Sequence, residues 1–594
     1  MNIAFTPEQQ SILSTNHHLV VNAVAGSGKT TTLVAYARSR PPGSRILYLA
    51  FNASVKTEAR QKFAQAGLPN VKVETAHSLA FQYIVAGKNI ALQTTGYKSY
   101  ELAELLGINT GDKHVDYMIA GHVAKYISYW CNSTVAKVQE LDYAALLTDA
   151  KVQQFVANYH SLILQYTRLA LAKMNNGQMP MIHDFYLKKF QLECPRLPYD
   201  YILFDEGQDA SAAMLDVFLR QPAIKIIVGD LHQQIYGWRY AINSLQQVDF
   251  PTQTLSQSFR FNDEVALVAN NILRWKQEWL GWPKACKVTG ADVDTTILKT
   301  KATLGRSNMA LMGRAIEDWQ QNDAEKVYFE GNINSYTFAD EGANMYDILS
   351  LQNGRRSGIR DKLIATMNSL EELEEYIDKT EDASLRVLVE VVKKYGNDLP
   401  DLIKGLKEQH AGKKEDADRI YSTVHRCKGM EYDEVVMLDD FMTEEKLQKL
   451  IAEMGGLAIK EGDKSRLSEE VNLVYVAATR TKARLHLPLN LNPFKTVQIV
   501  PPPAPVFGGS WLSNSIYGPK NTGETFTQKR AAAKLDADSK HKPANSGSPW
   551  TDDDDIELAD LYGDNLTIKE LSEHFGRSIK AIRSRLNKIG IWED

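Results

Sequence analysis

Cysteine is scarce in this sequence of 594 residues, which contains four of them. Cys131, Cys194, Cys286 and Cys427 stand far apart, without the close pairs that build a metal knuckle or a redox dithiol. We therefore expect four reduced thiols, no disulfide and no cysteine-bound metal.

Long apolar runs are missing as well. No stretch of about 18 uncharged apolar residues occurs, so the sequence predicts no membrane-spanning helix. The first residues, MNIAFTPEQQ, have neither the basic start nor the apolar core of a signal peptide. These absences predict a cytoplasmic protein without a membrane partner.

An excess of positive charge is the third absence, because the formal net charge is -5. The chain as a whole therefore has no electrostatic attraction to nucleic acid, and any nucleic-acid path must be a local basic or aromatic groove. With 44% hydrophobic and 24% charged residues the composition is that of a globular protein. The length predicts about three or four domains.

Three short apolar runs precede residues that can carry chemistry. Residues 19–24 (LVVNAV) lead into a glycine-rich turn and a segment with helical spacing. Residues 199–204 stop at Asp205, and residues 224–228 stop at Gly229. Such runs indicate buried parallel strands that present polar groups at their C-terminal ends.

Composition divides the rest of the chain. Two long segments favour helical insertions of about domain size, and a Pro-, Gly- and Ser-rich segment favours a flexible linker. We predict helical insertions at 88–196 and 340–415, a linker at 492–548 and a C-terminal module at 549–594.

Residues 23–30 (AVAGSGKT) form a phosphate loop at the predicted strand-to-helix turn. Small residues allow successive backbone N–H groups to face phosphate oxygens at a helix N-terminus. Lys29 would neutralise the outer phosphates, and the Thr30 hydroxyl would ligate Mg²⁺. This spacing predicts a nucleoside triphosphate site.

Asp205 and Glu206 supply the second half of that chemistry. We expect Asp205 to hold Mg²⁺ through a water molecule and Glu206 to polarise the attacking water. Because phosphoryl transfer depends mostly on positioning and charge stabilisation, these groups need only be well placed.

Together these motifs resemble those of UvrD, Rep and PcrA helicases of superfamily 1 and, in several details, those of the F-box DNA helicases. The resemblance runs from Phe5 to about Leu485 and includes residues 5–9 (FTPEQ), similar to an adenine-reading motif. It implies an α/β fold of two RecA-like lobes with ATP between them. The first lobe would comprise residues 1–87 and 197–254, and the second 255–339 and 416–491.

The resemblance also implies roles for particular residues in ATP binding and hydrolysis. Catalytic roles fall to Lys29, Glu206, Gln233, Arg260 and Arg480, of which the two arginines would reach the γ-phosphate from the second lobe. The implied nucleotide site comprises Gln9, Ala25, Gly26, Ser27, Gly28, Lys29, Thr30, Thr31, Phe259, Arg260, Glu431 and Arg480. Thr31 departs from the family pattern, since many relatives carry an arginine there that packs on adenine.

A track for single-stranded DNA is implied in the same way. It comprises Phe51, Asn52, Thr75, His77, Tyr236, Trp238, Arg239, Thr423 and His425. Aromatic faces accept any base, with about 1–3 kcal/mol of stacking per base, so such a track grips DNA without sequence preference.

The C-terminal module reads as three short helices, with the second beginning at a capping box at residues 567–570 and the third spanning about 578–589. The third is basic and carries Arg583 and Arg585, and Arg577 precedes it. A positive third helix after a tight turn resembles a Myb-like or helix-turn-helix unit that would contact duplex DNA. The alternative is a small bundle whose basic helix is solvated or docks on a protein partner. The linker could also bind a protein partner.

The motifs predict an ATP-dependent translocase on single-stranded DNA and at single-strand/duplex junctions. By resemblance it would unwind DNA with 3′-to-5′ polarity in repair or recombination. Two alternatives stay open: a translocase that strips proteins from DNA without unwinding it, and a nucleotide-gated component of a defence system.

Overall fold

The apolar runs of the N-terminal half form a six-stranded parallel sheet in the computed structural model. Its strands are β1 (Leu19–Ala23), β2 (Ile46–Ala50), β3 (Val71–Thr75), β6 (Tyr201–Phe204), β7 (Ile224–Gly229) and β8 (Thr252–Leu255). They lie in the order β3-β2-β6-β7-β1-β8, and every neighbouring pair is parallel. The four central strands, β2, β6, β7 and β1, are rich in β-branched and aliphatic residues because both faces of the sheet are buried there.

The structure describes residues 4–94, 96–147, 149–296, 298–321, 325–336, 345–380, 382–456, 459–491 and 568–588, and also residues 550, 554, 557, 558, 561, 562 and 566. The chain divides into two compact units, Met1–Val500 and Pro501–Asp594. Within the described ranges, no helix combines the length and apolar character that crossing a bilayer requires.

Helices cover the first sheet and continue into an insertion. The covering helices are α1 (Pro7–Leu13), α2 (Lys29–Arg38), α3 (Ala53–Gln65), α4 (Ala76–Ile84), α9 (Ala212–Leu219) and α10 (Ser244–Gln247). The insertion contains α5 (Ser99–Leu106), α6 (Lys113–Asn132), α7 (Ala150–Asn175) and α8 (His183–Glu193). A two-stranded parallel ribbon, β4 (Leu92–Gln93) with β5 (Met181–Ile182), joins the two ends of this insertion.

A second parallel sheet follows, in the order β10-β11-β9-β12-β13. Its strands are β9 (Lys301–Gly305), β10 (Val327–Phe329), β11 (Arg419–Thr423), β12 (Tyr432–Met437) and β13 (Thr481–His486). The helices around it are α11 (Asp263–Leu280), α12 (Asn308–Gln321), α13 (Ile333–Tyr336), α18 (Glu444–Glu453) and α19 (Glu461–Ala478). Between β10 and β11 lie α14 (Met345–Gln352), α15 (Leu370–Thr380), α16 (Ala383–Tyr395) and α17 (Leu399–Glu408).

The two lobes share an apolar contact. Val24 and Ala25 of the phosphate loop, together with Ile235, belong to the same buried cluster as the core of the second lobe. Parallel sheets with flanking helices confirm the predicted α/β class. The first sheet extends to Leu255, one residue beyond the predicted division between the lobes.

In the C-terminal unit the structure describes α20 (Ile568–His574) and α21 (Ile579–Lys588), which agree with the second and third predicted helices. Leu571, Ile582 and Leu586 are buried between them. The predicted linker at 492–548 and most of the first predicted helix lie outside the described residues, so the helix-turn-helix assignment stays a prediction.

Candidate nucleotide and nucleic-acid site

The phosphate loop connects β1 to α2 and bends at two glycines. Gly26 and Gly28 have φ of +73° and +77°, a left-handed conformation that glycine adopts without steric cost. Gly28 is also the N-cap of α2, and no side chain caps that helix. The first N–H groups of α2 therefore remain available to an anion. The buried Ser27 hydroxyl, which has no hydrogen-bond partner among the described residues, is a further group that a phosphate could satisfy.

Lys29 and Glu206 meet inside the first lobe, with 3.3 Å between the ammonium nitrogen and a carboxylate oxygen. Burial opposes both charges, but Lys29 holds the pKa of Glu206 below its usual value, and Glu206 raises the pKa of Lys29 in return. Glu206 also has a φ of +52°, which is uncommon for a residue with a side chain. Both groups are thus ionised at neutral pH, and a carboxylate in this state can accept a hydrogen bond from water.

Asp205 and Thr30 converge on the hydroxyl of Tyr48, a buried residue of β2. Tyr48 donates a hydrogen bond to Asp205 Oδ2, and the Thr30 side chain also interacts with the Tyr48 hydroxyl. Burial and the nearby Glu206 raise the pKa of Asp205. One hydroxyl and one carboxylate beside a phosphate loop are oxygen ligands suited to Mg²⁺. These residues therefore fit the predicted magnesium site, with Tyr48 holding the two oxygen ligands in register.

Arg260 and Arg480 approach from the second lobe. Arg260 lies against the phosphate loop, since a Cβ placed on Gly26 would come within 2.6 Å of the Arg260 Cβ. Burial and the neighbouring Arg480 lower the pKa of Arg260 to about 10, which leaves it charged at neutral pH. Arg480 is 2% exposed. Two guanidiniums beside a phosphate loop, that of Arg480 buried and that of Arg260 half-buried, can stabilise the charge that develops on a transferred phosphoryl group.

Gln233 connects Arg480 to the first lobe. Arg480 Nη2 donates to Gln233 Oε1 at 3.2 Å, and Gln233 Nε2 donates to Asp230 Oδ2 at 2.9 Å. The Tyr475 hydroxyl donates to the same Asp230 oxygen at 3.1 Å and accepts a bond from the Ala25 N–H at 3.4 Å. The phosphate loop, the end of β7 and the second lobe therefore share one hydrogen-bond network.

Lys428 extends that network away from the nucleotide. Its ammonium group pairs with Asp209 and donates to the Gln233 carbonyl at 2.6 Å. The same nitrogen lies 4.9 Å from the ring centroid of Tyr236 and 5.9 Å from that of Phe51. Burial raises the pKa of Asp209 to about 7, although Lys428 opposes the rise. One buried cation thus touches both the sensor segment and an aromatic pair.

The aromatic pair is the centre of the predicted DNA track. Phe51 and Tyr236 are stacked, with ring centroids 5.2 Å apart, and Tyr236 donates to the His425 carbonyl at 2.9 Å. His425 lies 3.1 Å from the Ile235 carbonyl through Nε2, and burial lowers its pKa to about 4. The exposed Arg239 extends over the Tyr236 ring. The Trp238 side chain falls outside the described part of the chain.

Four other predicted DNA contacts occupy different places. Asn52 and Thr75 are the N-caps of α3 and α4, where their side-chain oxygens accept backbone N–H groups. His77 lies 3.4 Å from Asp184 of the first insertion and is 39% exposed. Thr423 is 7% exposed at the end of β11. Asn52 and Thr75 therefore have a structural role that the sequence did not indicate.

The predicted base-binding residues gather at the edge of the cleft. Phe259 is 46% exposed, and its backbone N–H donates to the Gly26 carbonyl at 2.9 Å. The Gln9 amide is already engaged, because it donates to Thr32 Oγ1 at 3.0 Å and accepts the Thr6 N–H at 3.0 Å. Glu431 pairs with Arg260 and Lys482 at 3.1 Å each. Thr31 is partly buried on α2.

Sequence reasoning missed five residues of this network: Tyr48, Asp209, Asp230, Lys428 and Tyr475. Asp209, Asp230 and Lys428 each lie three residues from a predicted site residue (Glu206, Gln233 and His425), so their charge was the available signal. Tyr48 had none, because a tyrosine within a buried strand has the same pattern as a core residue.

In the C-terminal unit the three predicted arginines differ. Arg577 is 7% exposed, and its guanidinium lies 4.2 Å from the Trp550 ring centroid. Arg585 contacts the same ring at 5.6 Å, whereas Arg583 is exposed. The guanidinium of Arg577 thus takes part in the packing of this unit, and Arg583 is the better placed to reach a ligand.

Comparison with known proteins agrees with this geometry. The family described as "UvrD/REP helicase N-terminal domain" matches residues 5–249. Over its first lobe the chain is therefore similar to UvrD-like helicases of superfamily 1. The family match accounts for the first lobe of the UvrD-like chain, including Lys29, Glu206 and Gln233.

Relatives extend the similarity into the second lobe. F-box DNA helicase 1 of Gallus gallus is 28% identical over 527 residues, which cover 81% of this chain and 48% of the relative. F-box DNA helicase protein 1 of Schizosaccharomyces pombe is 28% identical over 539 residues, 81% of this chain and 57% of the relative. ATP-dependent DNA helicase PcrA of Bacillus subtilis is 24% identical over 302 residues, 45% of this chain and 39% of the relative. The UvrD-like chain thus spans about half the length of the F-box relatives that it matches.

Proposed function

We propose that this UvrD-like protein hydrolyses ATP to move along single-stranded DNA and unwinds duplex ahead of it with 3′-to-5′ polarity. One observation carries the proposal: a continuous set of contacts runs from Arg480 through Gln233 and Lys428 to the stacked rings of Phe51 and Tyr236. The names of the relatives, F-box DNA helicase and ATP-dependent DNA helicase, support the same activity.

The residues of the cleft divide the chemistry among them. The N–H groups at the start of α2 and the Lys29 ammonium bind the phosphates, and the Glu206 carboxylate orients and polarises the attacking water. Arg260 and Arg480 balance negative charge on the phosphoryl group. Mg²⁺, held by Thr30 and Asp205, would supply additional charge neutralisation when bound.

The position of Arg260 and Arg480 on the second lobe couples ATP hydrolysis to movement of the lobes. Because Arg260 and Arg480 belong to the second lobe, they reach the phosphates only when the cleft is shut, so nucleotide state controls the distance between the lobes. Tyr236 belongs to the first lobe and His425 to the second, and their hydrogen bond crosses between the lobes. Opening and closing therefore changes the grip of the aromatic track on DNA.

The decisive test measures ATP hydrolysis with and without single-stranded DNA. We expect Glu206→Gln to abolish turnover while keeping nucleotide affinity, because the amide keeps the shape of the side chain but lacks the negative charge that polarises the attacking water. Tyr236→Ala should keep DNA-free hydrolysis and lose most DNA stimulation. Equal hydrolysis by Glu206→Gln and the wild type would refute the assignment.

Polarity and unwinding are tested separately. Strand displacement on a duplex with a 3′ tail, compared with the same duplex carrying a 5′ tail, gives the polarity. ATPase stimulation without displacement on either substrate would instead indicate a translocase that does not unwind DNA. Hydrolysis that does not depend on strand length would indicate a nucleotide-gated switch.

We propose that α21 of the C-terminal unit gives the protein an additional contact with duplex DNA. The exposed Arg583 on this basic helix supports the assignment. Arg583→Ala in the full chain should weaken binding to blunt duplex, most strongly at low salt. Unchanged duplex binding at every salt concentration would favour the protein-docking alternative.

A further inference from the structure

Lys276 is a buried lysine at the junction of the two lobes. It lies on α11, is 1% exposed, and its Nζ is 2.9 Å from Asn472 Oδ1 of α19. Across the junction, the same nitrogen is 3.2 Å from Nδ1 of His232, in the segment that follows β7. The Trp282 ring covers it, with 4.0 Å from nitrogen to centroid.

This cluster holds the segment that contains Gln233. Asn472 also bonds this segment, since its Nδ2 donates to the Gln234 carbonyl at 2.8 Å. Tyr475 adds an edge contact on the His232 ring, with centroids 6.0 Å apart. Residues 230–234 of the first lobe are thus fastened to α11 and α19 of the second lobe at several points.

The hydrogen-bond partners of the buried Lys276 ammonium group are uncharged. Among the described residues no carboxylate forms an ion pair with it, and its hydrogen-bond partners are an amide oxygen and an imidazole nitrogen. Burying an ammonium group with neutral partners is costly unless it gives up its proton. Burial lowers the pKa of Lys276 to about 7, with Asp230 opposing the shift.

Other titratable groups face Lys276 from the elements packed around it. Burial lowers the pKa of His232 well below its usual value, and it raises the pKa values of Asp230 and Tyr475. His232 is therefore neutral above pH 7, when it can accept a hydrogen bond from an ammonium group or donate one to an amine.

Opening the cleft would withdraw the segment that carries His232 and admit water to Lys276. We propose that Lys276 is a positioning residue that fastens residues 230–234 to the second lobe, and that closure on a nucleotide turns its ammonium group into a neutral amine and releases one proton to solvent. The inference rests on the proposed function, because it requires nucleotide binding to close the cleft.

The test counts protons released when the full-length protein binds a nonhydrolysable ATP analogue with Mg²⁺. Calorimetric titration at about pH 8.5, in two buffers of different ionisation enthalpy, gives that number. Between the lowered pKa and the usual lysine value, closure should release about one proton from Lys276. Lys276→Met, which keeps the chain length, and Lys276→Arg, which keeps a fixed charge, should each release about one proton fewer than the wild type.

Lys188 provides a matched control. It is also fully buried, it donates to the Ser133 carbonyl at 2.8 Å, and it lies 5.0 Å from the Trp130 ring, but all these contacts lie within the first insertion. Burial lowers its pKa to about 8. Lys188→Met should therefore release as many protons as the wild type.

The outcomes separate the two proposals. Equal proton release by the wild type and both Lys276 variants, with nucleotide still bound, would overturn the role of Lys276 and leave the proposed function standing. A wild type that binds no analogue at any pH would overturn both. A loss of release in Lys188→Met equal to that in the Lys276 variants would also refute the inference, because the effect would not belong to the lobe junction.

Discussion

Replacing Lys428 by Met should uncouple ATP hydrolysis from DNA. The change removes the ion pair with Asp209, the hydrogen bond to the Gln233 carbonyl and the cation above the Tyr236 ring. The nucleotide-binding residues Lys29 and Glu206 keep their own contact. DNA-stimulated hydrolysis should therefore fall much more than DNA-free hydrolysis.

The structure sets the size of the effect. The side chains of Lys428 and Asp209 are 8% and 0% exposed, and removing one partner of such a buried pair costs about 3–5 kcal/mol when the other keeps its charge. Asp209 can escape most of that cost by taking up a proton, because its pKa is already about 7. What remains is the charge-assisted bond to the sensor segment, about 1.5–3 kcal/mol. That corresponds to about a 10- to 150-fold loss of DNA-stimulated kcat/KM.

The assay is a double-mutant cycle of steady-state ATPase rates at saturating single-stranded DNA. Lys428→Met, Asp209→Asn and the double variant are compared with Lys449→Met, which removes an exposed pair on α18. We expect the double variant to lose less than the sum of the single variants, with a coupling of about 0.5–3 kcal/mol. Additive losses, or normal DNA stimulation of Lys428→Met, would refute the reasoning.

Three further predictions follow from single residues. Gly26→Ala should abolish turnover, because the added Cβ would come within 2.5 Å of Ser258 Oγ in the second lobe. The control Gly67→Ala, at a similar φ of +67° but with open space around it, should lose only about 1–2 kcal/mol of stability and keep its ATPase rate. Burial lowers the pKa of His122 to about 4, so between about pH 6.5 and 4 the unfolded chain binds a proton that the folded chain does not. The free energy of unfolding, measured with urea, should therefore fall over this pH range by up to about 3 kcal/mol from this residue, and His122→Leu should reduce that fall. Arg480→Lys should lower kcat strongly despite the retained charge, since a lysine cannot replace the three bonds that the guanidinium makes to Gln233, Met430 and Val476; wild-type kcat in this variant would contradict the assignment.

The phosphate loop was predictable because its requirements are local. Glycines at two left-handed positions and a lysine at the start of a helix specify a phosphate cradle from consecutive residues, without reference to the rest of the chain. The α/β class and the approximate strands were predictable for the same reason, since an apolar run and its flanking turn lie next to each other. Family resemblance added Arg260 and Arg480, whose distance from the loop in sequence hides their place in the cleft.

Sequence alone thus determined the local elements and the residue types that bind phosphate. Only the tertiary structure decided that Tyr48 joins Thr30 to Asp205, that Lys428 pairs with Asp209, and that Asn52 and Thr75 cap helices. The physical reason is that the strands do not lie in the sheet in the order of the chain, so β2 and β6 become neighbours although about 150 residues separate them. Contacts between residues so far apart depend on chain crossings and packing, which local patterns do not encode.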